Sequence, residues 1–297
     1  MAYALDDIEA FLRVVETGSI SAAARRLQRT KSVVSKRVSA LEAAFGVRLL
    51  HRSARGMTAT DAGRDFYRRA RAALAELDAA GEDLATDEQA LRGSLRIAAP
   101  MSFSTLILGP ALFAFLRDHP GLQLDLDLDD RAADIAVGGF DLAIRIGHLR
   151  DSNLVARKLG TVERVIVASR DYADTHGLPA SLDELPQHPA IGYTHVAATE
   201  LWRFHGDDGP ARHVPMTCRL VVNNGEAMRD AVLAGLGLAL LPRFILADAL
   251  ADGRLVAVLP DARPESYGIH ALYPYQRQPA RKVRALIEYL QRTLQTI

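Results

Sequence analysis

The hydrophobic pattern of this chain changes character once, at Gly93, and that change limits the folds open to it. Before Gly93, apolar residues recur at helical spacing. After it, short alternating or continuous apolar runs take turns with helical stretches. The first pattern predicts a helix-rich amino-terminal part, and the second an α/β part with a mainly parallel sheet. A length of 297 residues accommodates about two such units. The hydrophobic fraction of 49% is that of an ordinary soluble protein, and no run of about 18 uncharged apolar residues predicts a membrane span.

Leu5, Ile8, Phe11, Leu12 and Val15 form one stripe of a helix that Gly18 stops at Thr17. Ser19 or Ser21 then caps a second helix through Leu27, in which Ala22, Ala23 and Ala24 permit close packing. The polar break Gln28-Arg29-Thr30 leads into a third helix, from about Lys31 to Phe45, ended by Gly46 as a left-handed cap. Val34, Val38, Leu41 and Phe45 fall on one face of it and are the expected core. Lys31, Ser32, Ser35, Lys36 and Ser39 fall on the other. Two short strands, Val47 to Leu50 and Gly56 to Thr58, follow, joined by a basic turn holding Arg52 and Arg55. Two helices about a short break have the length of a helix-turn-helix, and the basic hairpin is placed like a wing. An outer face of hydroxyls and cations suits base edges and phosphates.

Charge is distributed accordingly. The formal net charge is zero, but residues 1–60 hold ten Lys and Arg against five Asp and Glu, so a head of +5 sits on a body of −5. That asymmetry is expected where only the head meets a polyanion. Thr60 caps a further helix from about Asp61, with a seam of Phe66, Ala70, Ala73, Leu77, Ala80 and Leu84 at heptad-like spacing. Such a seam needs a partner, either a second copy of the chain or the protein's own surface.

Several features point away from other chemistry. Asp125, Asp127 and Asp129 alternate with leucines, which places them on a solvated strand face. His195, His205 and His213 lack metal-ligand spacing. Gly235-Leu-Gly237 follows a helix and precedes a strand, the wrong order for a nucleotide loop, and reads as a tight turn. No Gly-x-Ser-x-Gly, Walker or His-Glu-x-x-His motif is present, so no enzyme, cofactor or metal is expected. Cys218 is expected to be a small buried residue. Asp6, Asp7, Glu9, Arg13 and Glu16 exclude a signal peptide at the start of the sequence, and a cytoplasmic location is expected.

The stretch from Phe11 to Leu27, with Val34-Ser-Lys-Arg-Val-Ser-Ala-Leu-Glu42, Phe45-Gly-Val-Arg-Leu-Leu-His-Arg52 and Thr58-Ala-Thr-Asp-Ala-Gly63, resembles the DNA-binding domain of LysR-type transcriptional regulators. The likeness continues through Gly93-Ser-Leu-Arg-Ile-Ala-Ala-Pro100, Phe140-Asp-Leu-Ala-Ile-Arg-Ile-Gly147, Leu154 to Gly160, Trp202-Arg-Phe204, Gly235 to Pro242 and Lys282 to Leu290, whose wording is similar to the CrgA-like subgroup. The resemblance implies a winged helix-turn-helix at 1–60, a linker and dimerisation helix at 61–90, and an effector-binding domain at 91–297. That domain would comprise two α/β lobes like those of periplasmic binding proteins, one from about 93–164 and 268–297, the other from about 165–267. Ser21 would bond phosphate, Thr30, Lys31, Ser32, Ser35 and Lys36 would line the groove, and Arg52 and Arg55 would form the wing. The chain departs from the family at Thr30-Lys31-Ser32, where Ser-Gln-Pro or Ser-Gln-Ser is frequent, and at Val33 and Leu50, where Ala and Phe are frequent. Lys prefers guanine or phosphate where Gln can read adenine, so Lys31 implies a changed operator.

The implied partners are double-stranded operator DNA, a small-molecule effector such as an organic or aromatic acid, a second copy in a dimer or tetramer, and RNA polymerase where the protein activates. In open α/β sheets ligands bind beyond the carboxyl ends of strands. That rule assigns to the cleft Ser102, Phe103 and Ser104 after the first strand, Asp130 after the second, and Arg145 near the end of a third. From the other lobe it assigns Thr194, His195, Asn224 at a helix start and Pro242 after a strand.

Overall fold

A computed structural model describes residues 3–53, 56–83, 91–131, 139–149, 152–194, 201–205, 211–275 and 279–294. The head consists of α1 (Leu5–Thr17), α2 (Ile20–Arg26), α3 (Lys31–Phe45), the antiparallel strands β1 (Leu50–Ser53) and β2 (Gly56–Ala59), and α4 (Asp61–Asp83). Capping chemistry sets four of these helix ends. The Ser19 and Thr30 side chains accept hydrogen bonds from the amides of Ala22 and Val33, and Gly18 and Gly46 close α1 and α3 at φ of 63° and 65°. Ala10, Phe11, Leu12, Val14, Ala23, Ala24, Val34, Val38 and Leu41 fill the core with Tyr67 and Ala70 of α4. The stripe of α1 is therefore centred on Phe11 and Val14, and Leu5 at its start is 52% exposed. Phe45 is 36% exposed because it ends α3 in a tilted aromatic row with Tyr3 and Phe66 instead of entering the core.

Two expectations for this part change. The first strand of the wing starts at Leu50, three residues later than its apolar run, because Glu42 takes the amides of Leu49 and Leu50 and holds Val47 to Leu49 against α3. The seam of α4 is divided in use. Phe66 and Ala70 pack on the head itself, whereas Leu77 is 61% exposed. The side chain of Ala80 and all of Leu84 lie outside the described residues.

The first lobe is a five-stranded sheet in the order β4 (Gly121–Leu128), β3 (Arg92–Ala99), β5 (Leu142–Ile146), β14 (Tyr267–Pro274), β6 (Leu154–Val162). β3 runs parallel to β4 and β5, but β14 is antiparallel to β5 and β6, so the sheet is mixed and not mainly parallel. Gly93 lies inside β3 at φ of 92°, within the strand and not ahead of it. Leu95, Ile97 and Ala99 enter the core under α6 (Gly109–Asp118) and α10 (Arg281–Thr293), while Ala98 faces the opposite side with Phe140 and Leu272, as strand alternation requires. The helical stretch after β3 begins as α5 (Met101–Phe103) and passes through a π turn at Ser104–Leu108 before α6.

The second lobe is also mixed. β7 (Arg164–Ser169) is flanked antiparallel by β12 (Ala239–Pro242) and β13 (Leu255–Ala257), β8 (Ala190–Tyr193) pairs parallel with β11 (Cys218–Val222), and β9 (Leu201–Phe204) pairs antiparallel with β10 (Arg212–Pro215). A parallel bridge from Ala190 to Leu238 joins the first two sets. Alternate residues of β7 enter different cores: Ile166 and Ala168 pack with Trp202 and Phe204, and Val167 packs with Met228 and Leu246. The helices are α7 (Arg170–His176), α8 (Gly225–Leu233) and α9 (Arg243–Ala251). Gly235 and Gly237 at φ of 75° and 144° make the turn between α8 and β12. Cys218 is half-buried against this lobe's core, not fully enclosed as expected.

Candidate functional site

The first candidate surface is the outer face of α3. The burial of Val34, Val38 and Leu41 fixes the rotation of the helix, and the same rotation leaves Lys31, Ser32, Ser35, Lys36 and Ser39 exposed. Thr30 both caps α3 and lies 3.0 Å from the Ser32 hydroxyl. A groove of about 500 Å³ runs between the start of α2, this face and the wing, lined by Ser19, Ser21, Ser35, Ser39, Glu42 and Arg48 among others. The groove therefore offers hydroxyls from two helices and a cation at its edge. Glu42 is spoken for by the wing amides, 2.8 and 3.0 Å away, so it aligns the hairpin with α3. Arg52 lies within β1 opposite Met57, not in the turn, and Arg55 lies outside the described residues.

The head is joined to the first lobe by buried charge. Glu16 of α1, only 1% exposed, pairs with Arg13 at 2.8 Å and with Arg96 of β3 at 3.4 Å, and accepts a hydrogen bond from the Tyr67 hydroxyl at 3.2 Å. Arg96 shares the Ala98 face of its strand. There it meets Asp125 of β4 at 3.4 Å and lies 4.8 Å over the Phe140 ring. Asp125 also pairs with Arg26 of α2, so it faces the head and is not simply solvated as its alternation suggested. Arg71 of α4 donates to the Gly139 carbonyl and to Asp141, whose other oxygen accepts the Arg96 amide. Burial pushes the Asp141 carboxyl up, against the pull of Arg71, and burial beside Glu16 pushes the Tyr67 phenol up. Gly139, at φ of 66°, is required here: a Cβ would lie 2.1 Å from the Tyr67 hydroxyl. None of Glu16, Arg96 or Asp141 stands out in the sequence as a functional residue. Glu16 reads as a surface helix position, and the only hint at Asp141 is its place just ahead of a strand.

The second candidate site lies where the lobes meet. Ser102 is buried and donates to Glu226 in the first turn of α8, and the Thr105 hydroxyl lies 3.3 Å from the other oxygen of the same carboxylate. Asn224 caps α8 through the Ala227 amide and approaches Met101, 3.7 Å from its sulfur. Asp130 accepts the Met101 amide at 2.9 Å and a hydrogen bond from Tyr193. Burial, with Asp130, Glu226 and Asp129 nearby, pushes the Tyr193 phenol up. Arg145 is half-buried. Burial pulls its guanidinium down and Asp129 and Asp130 oppose this.

The structure thus brings Ser102, Asp130, Arg145 and Asn224 into one region and adds Tyr193, Thr105 and Glu226, which the strand-end rule did not select. Thr194 is exposed beside Tyr193, its amide held by the Val222 carbonyl, and His195 lies outside the described residues. Pro242 ends β12 and opens α9. Phe103 and Ser104 are both buried, and Phe103 meets Phe244 of α9 edge-on at 5.7 Å across the lobes. Ser104 opens the π turn that follows, and no sequence pattern announces that turn. Among the described residues no cluster of three or more His, Cys, Asp and Glu could hold a metal, and no helix is long and apolar enough to cross a membrane.

Residues 5–64 match the family described as "Bacterial regulatory helix-turn-helix protein, lysR family", and residues 88–295 match "LysR substrate binding domain". The HTH-type transcriptional regulator PtxR of Pseudomonas aeruginosa is 38% identical over 292 residues, covering 98% of this chain and 93% of that protein. The full-length structure of AphB, a Vibrio cholerae virulence activator, superposes with a TM-score of 0.62 at 31% identity, covering 97% of this chain and 98% of that one. The structure of CrgA from Neisseria meningitidis superposes with a TM-score of 0.60 at 29% identity, covering 98% and 99%.

Proposed function

The chain belongs to the LysR family of helix-turn-helix transcriptional regulators, and from that premise we propose how its parts divide the work. It is a DNA-binding regulator modulated by a small effector, not an enzyme. Residues 1–60 form the winged head, 61–90 the linker and dimerisation helix, and 91–297 the effector-binding domain, with lobes at about 93–164 plus 268–297 and 165–267. In the head, Thr30, Lys31, Ser32, Ser35 and Lys36 enter the major groove, Ser21 bonds phosphate, and Arg52 and Arg55 grip flanking backbone. The observation that carries this reading is the split of α3 into a buried aliphatic face and an exposed face of hydroxyls and cations.

A homodimer, or a tetramer built from dimers, places paired heads on a palindromic operator in the cytoplasm. The exposed Leu77 on α4 supports such a seam. The effector binds where the lobes meet, among Ser102, Asp130, Arg145 and Asn224, with Phe103, Ser104, Thr194, His195 and Pro242 as further contacts. It acts by favouring one arrangement of the lobes and hence one spacing of the heads. Where the protein activates, the docked heads present it to RNA polymerase.

The test is a gel shift with DNA upstream of the protein's own gene, read across salt. Specific binding should weaken steeply with salt, and K31A/K36A should weaken it further at every salt concentration as two cations leave the groove. Binding that does not respond to salt, or a double variant that binds like wild type, overturns the reading.

A further inference from the structure

We propose that Glu226 is the residue that decides which ligands the interlobe site accepts: it is a carboxylate of the protein's own, seated where the carboxylate of a small organic acid would otherwise bind. The inference rests on the reading of the interlobe region as the effector site. The seat itself is on the first lobe. Ser102 donates its hydroxyl proton to Glu226, and the Thr105 hydroxyl stands 3.3 Å from the second carboxylate oxygen and 3.1 Å from the Ser102 carbonyl. The Ser102 hydroxyl is the donor on which a free carboxylate would depend, with the Thr105 hydroxyl, whose one proton is shared with the Ser102 carbonyl, beside it, and lobe two occupies this place from α8.

The contact is built, not incidental. Gly225 is buried, and a Cβ there would lie 3.3 Å from the Ser102 hydroxyl of α5 and 2.5 Å from the end of the Ile245 side chain of α9, so glycine eases the fit of the start of α8 against both helices. Asn224 fixes that start twice, capping α8 through the Ala227 amide at 2.8 Å and reaching Met101 of the opposite lobe. Phe103 and Phe244 close the apolar side of the same contact. Glu226 therefore enters the seat from a helix whose position is determined on three sides.

Two consequences follow for specificity. A small carboxylate gains these hydroxyls only by displacing Glu226, and the displaced charge must then stay near Asp129 and Asp130, which already crowd this region. The wild-type site therefore discriminates against simple carboxylates and favours ligands that leave the Ser102–Glu226 bond in place. A cleft that lacked this side chain would take carboxylates on the same two hydroxyls.

Chemical rescue tests this on the full-length protein, with acetate and benzoate as probes at constant ionic strength and thermal stability as the readout. A charge-assisted hydrogen bond contributes enough that removing its internal owner should tighten carboxylate binding by about tenfold or more. E226A is expected to gain saturable stabilisation by both probes, wild type to show little, and the further change S102A/T105V in the E226A background to abolish the gain. E226Q, which keeps the side-chain volume and is a weaker acceptor, should give an intermediate gain and serves if E226A does not fold. Equal carboxylate affinity in wild type and in whichever variant folds overturns the proposal, as does a rescue that survives loss of both hydroxyls. Rescue that leaves operator affinity unchanged upholds the seat and counts instead against the effector reading of this region.

Discussion

Replacing Glu16 by Gln tests whether buried charge holds the head to the first lobe. Glu16 is 1% exposed and Arg96 is 11% exposed, so their 3.4 Å pair is screened far less than a surface pair. At an effective dielectric constant of about 20 the gross attraction is about 5 kcal/mol, and desolvation of both ions offsets part of it. Removing one partner leaves Arg96 with Asp125 and the Phe140 ring, and its Nε and Nη1 make no hydrogen bond among the described residues. Breaking such a pair costs about 3 kcal/mol. The sole tryptophan, Trp202, is in the second lobe and is silent here, so hydrogen exchange in α1 and β3 is the suitable assay. E16Q should speed exchange there about 100-fold through local opening. R96M should do the same, and the double variant should fall short of the sum by about 1–3 kcal/mol. Effects that add to within about 0.5 kcal/mol would refute the ionic junction.

Other outcomes can be checked separately. Lys31→Gln should shift the preferred operator base from guanine towards adenine by about 1–3 kcal/mol in a randomised-site selection, with the melting temperature unchanged. Leu77→Asp should weaken self-association in sedimentation, because it sets a charge on the exposed part of the α4 seam. His270 sits between Arg145 and Lys158 in the sheet, and burial followed by Lys158 pulls its imidazole down. A depressed histidine contributes stability above its ordinary value of about 6.5 and loses it as pH falls below that. His270→Gln should therefore flatten the decline in first-lobe stability as pH falls from neutral to about 5, read by thermal melts.

Local order was legible because it is written locally. The range Lys31–Phe45, its Thr30 cap and its Gly46 stop follow from spacing and backbone chemistry within one helix. The aliphatic face of α3 predicted which side chains remain outside, and strand-end logic selected Ser102, Asp130, Arg145 and Asn224, which the fold brings into one region. What was missed depends on partners far away along the chain. Glu226 lies 124 positions from Ser102, and Tyr67 lies 51 from Glu16, so neither contact leaves a period or a motif. Strand direction is similarly silent: β14 alternates as well antiparallel as parallel, and only its return beside β5 made the sheet mixed. The π turn at Ser104–Leu108 is equally silent in the sequence, and it lies where Phe103 and Ser104 are buried while Ser102 and Thr105 reach the interlobe contact.

The fit of Gly139 against Tyr67 and Glu16 bears on how such regulators can be recombined. Grafting the head of a relative onto this chain is usually imagined as joining two cassettes at the linker. Here the graft also exchanges one half of a matched surface: the donor head must carry an acid facing Arg96 and leave room over a glycine it never met. Chimeras that keep Glu16, Tyr67 and Arg71 in the transplanted head should transmit the effector signal. Those that lose them should still recognise their operator but answer to no ligand, and a promoter reporter with the two sets side by side separates the outcomes.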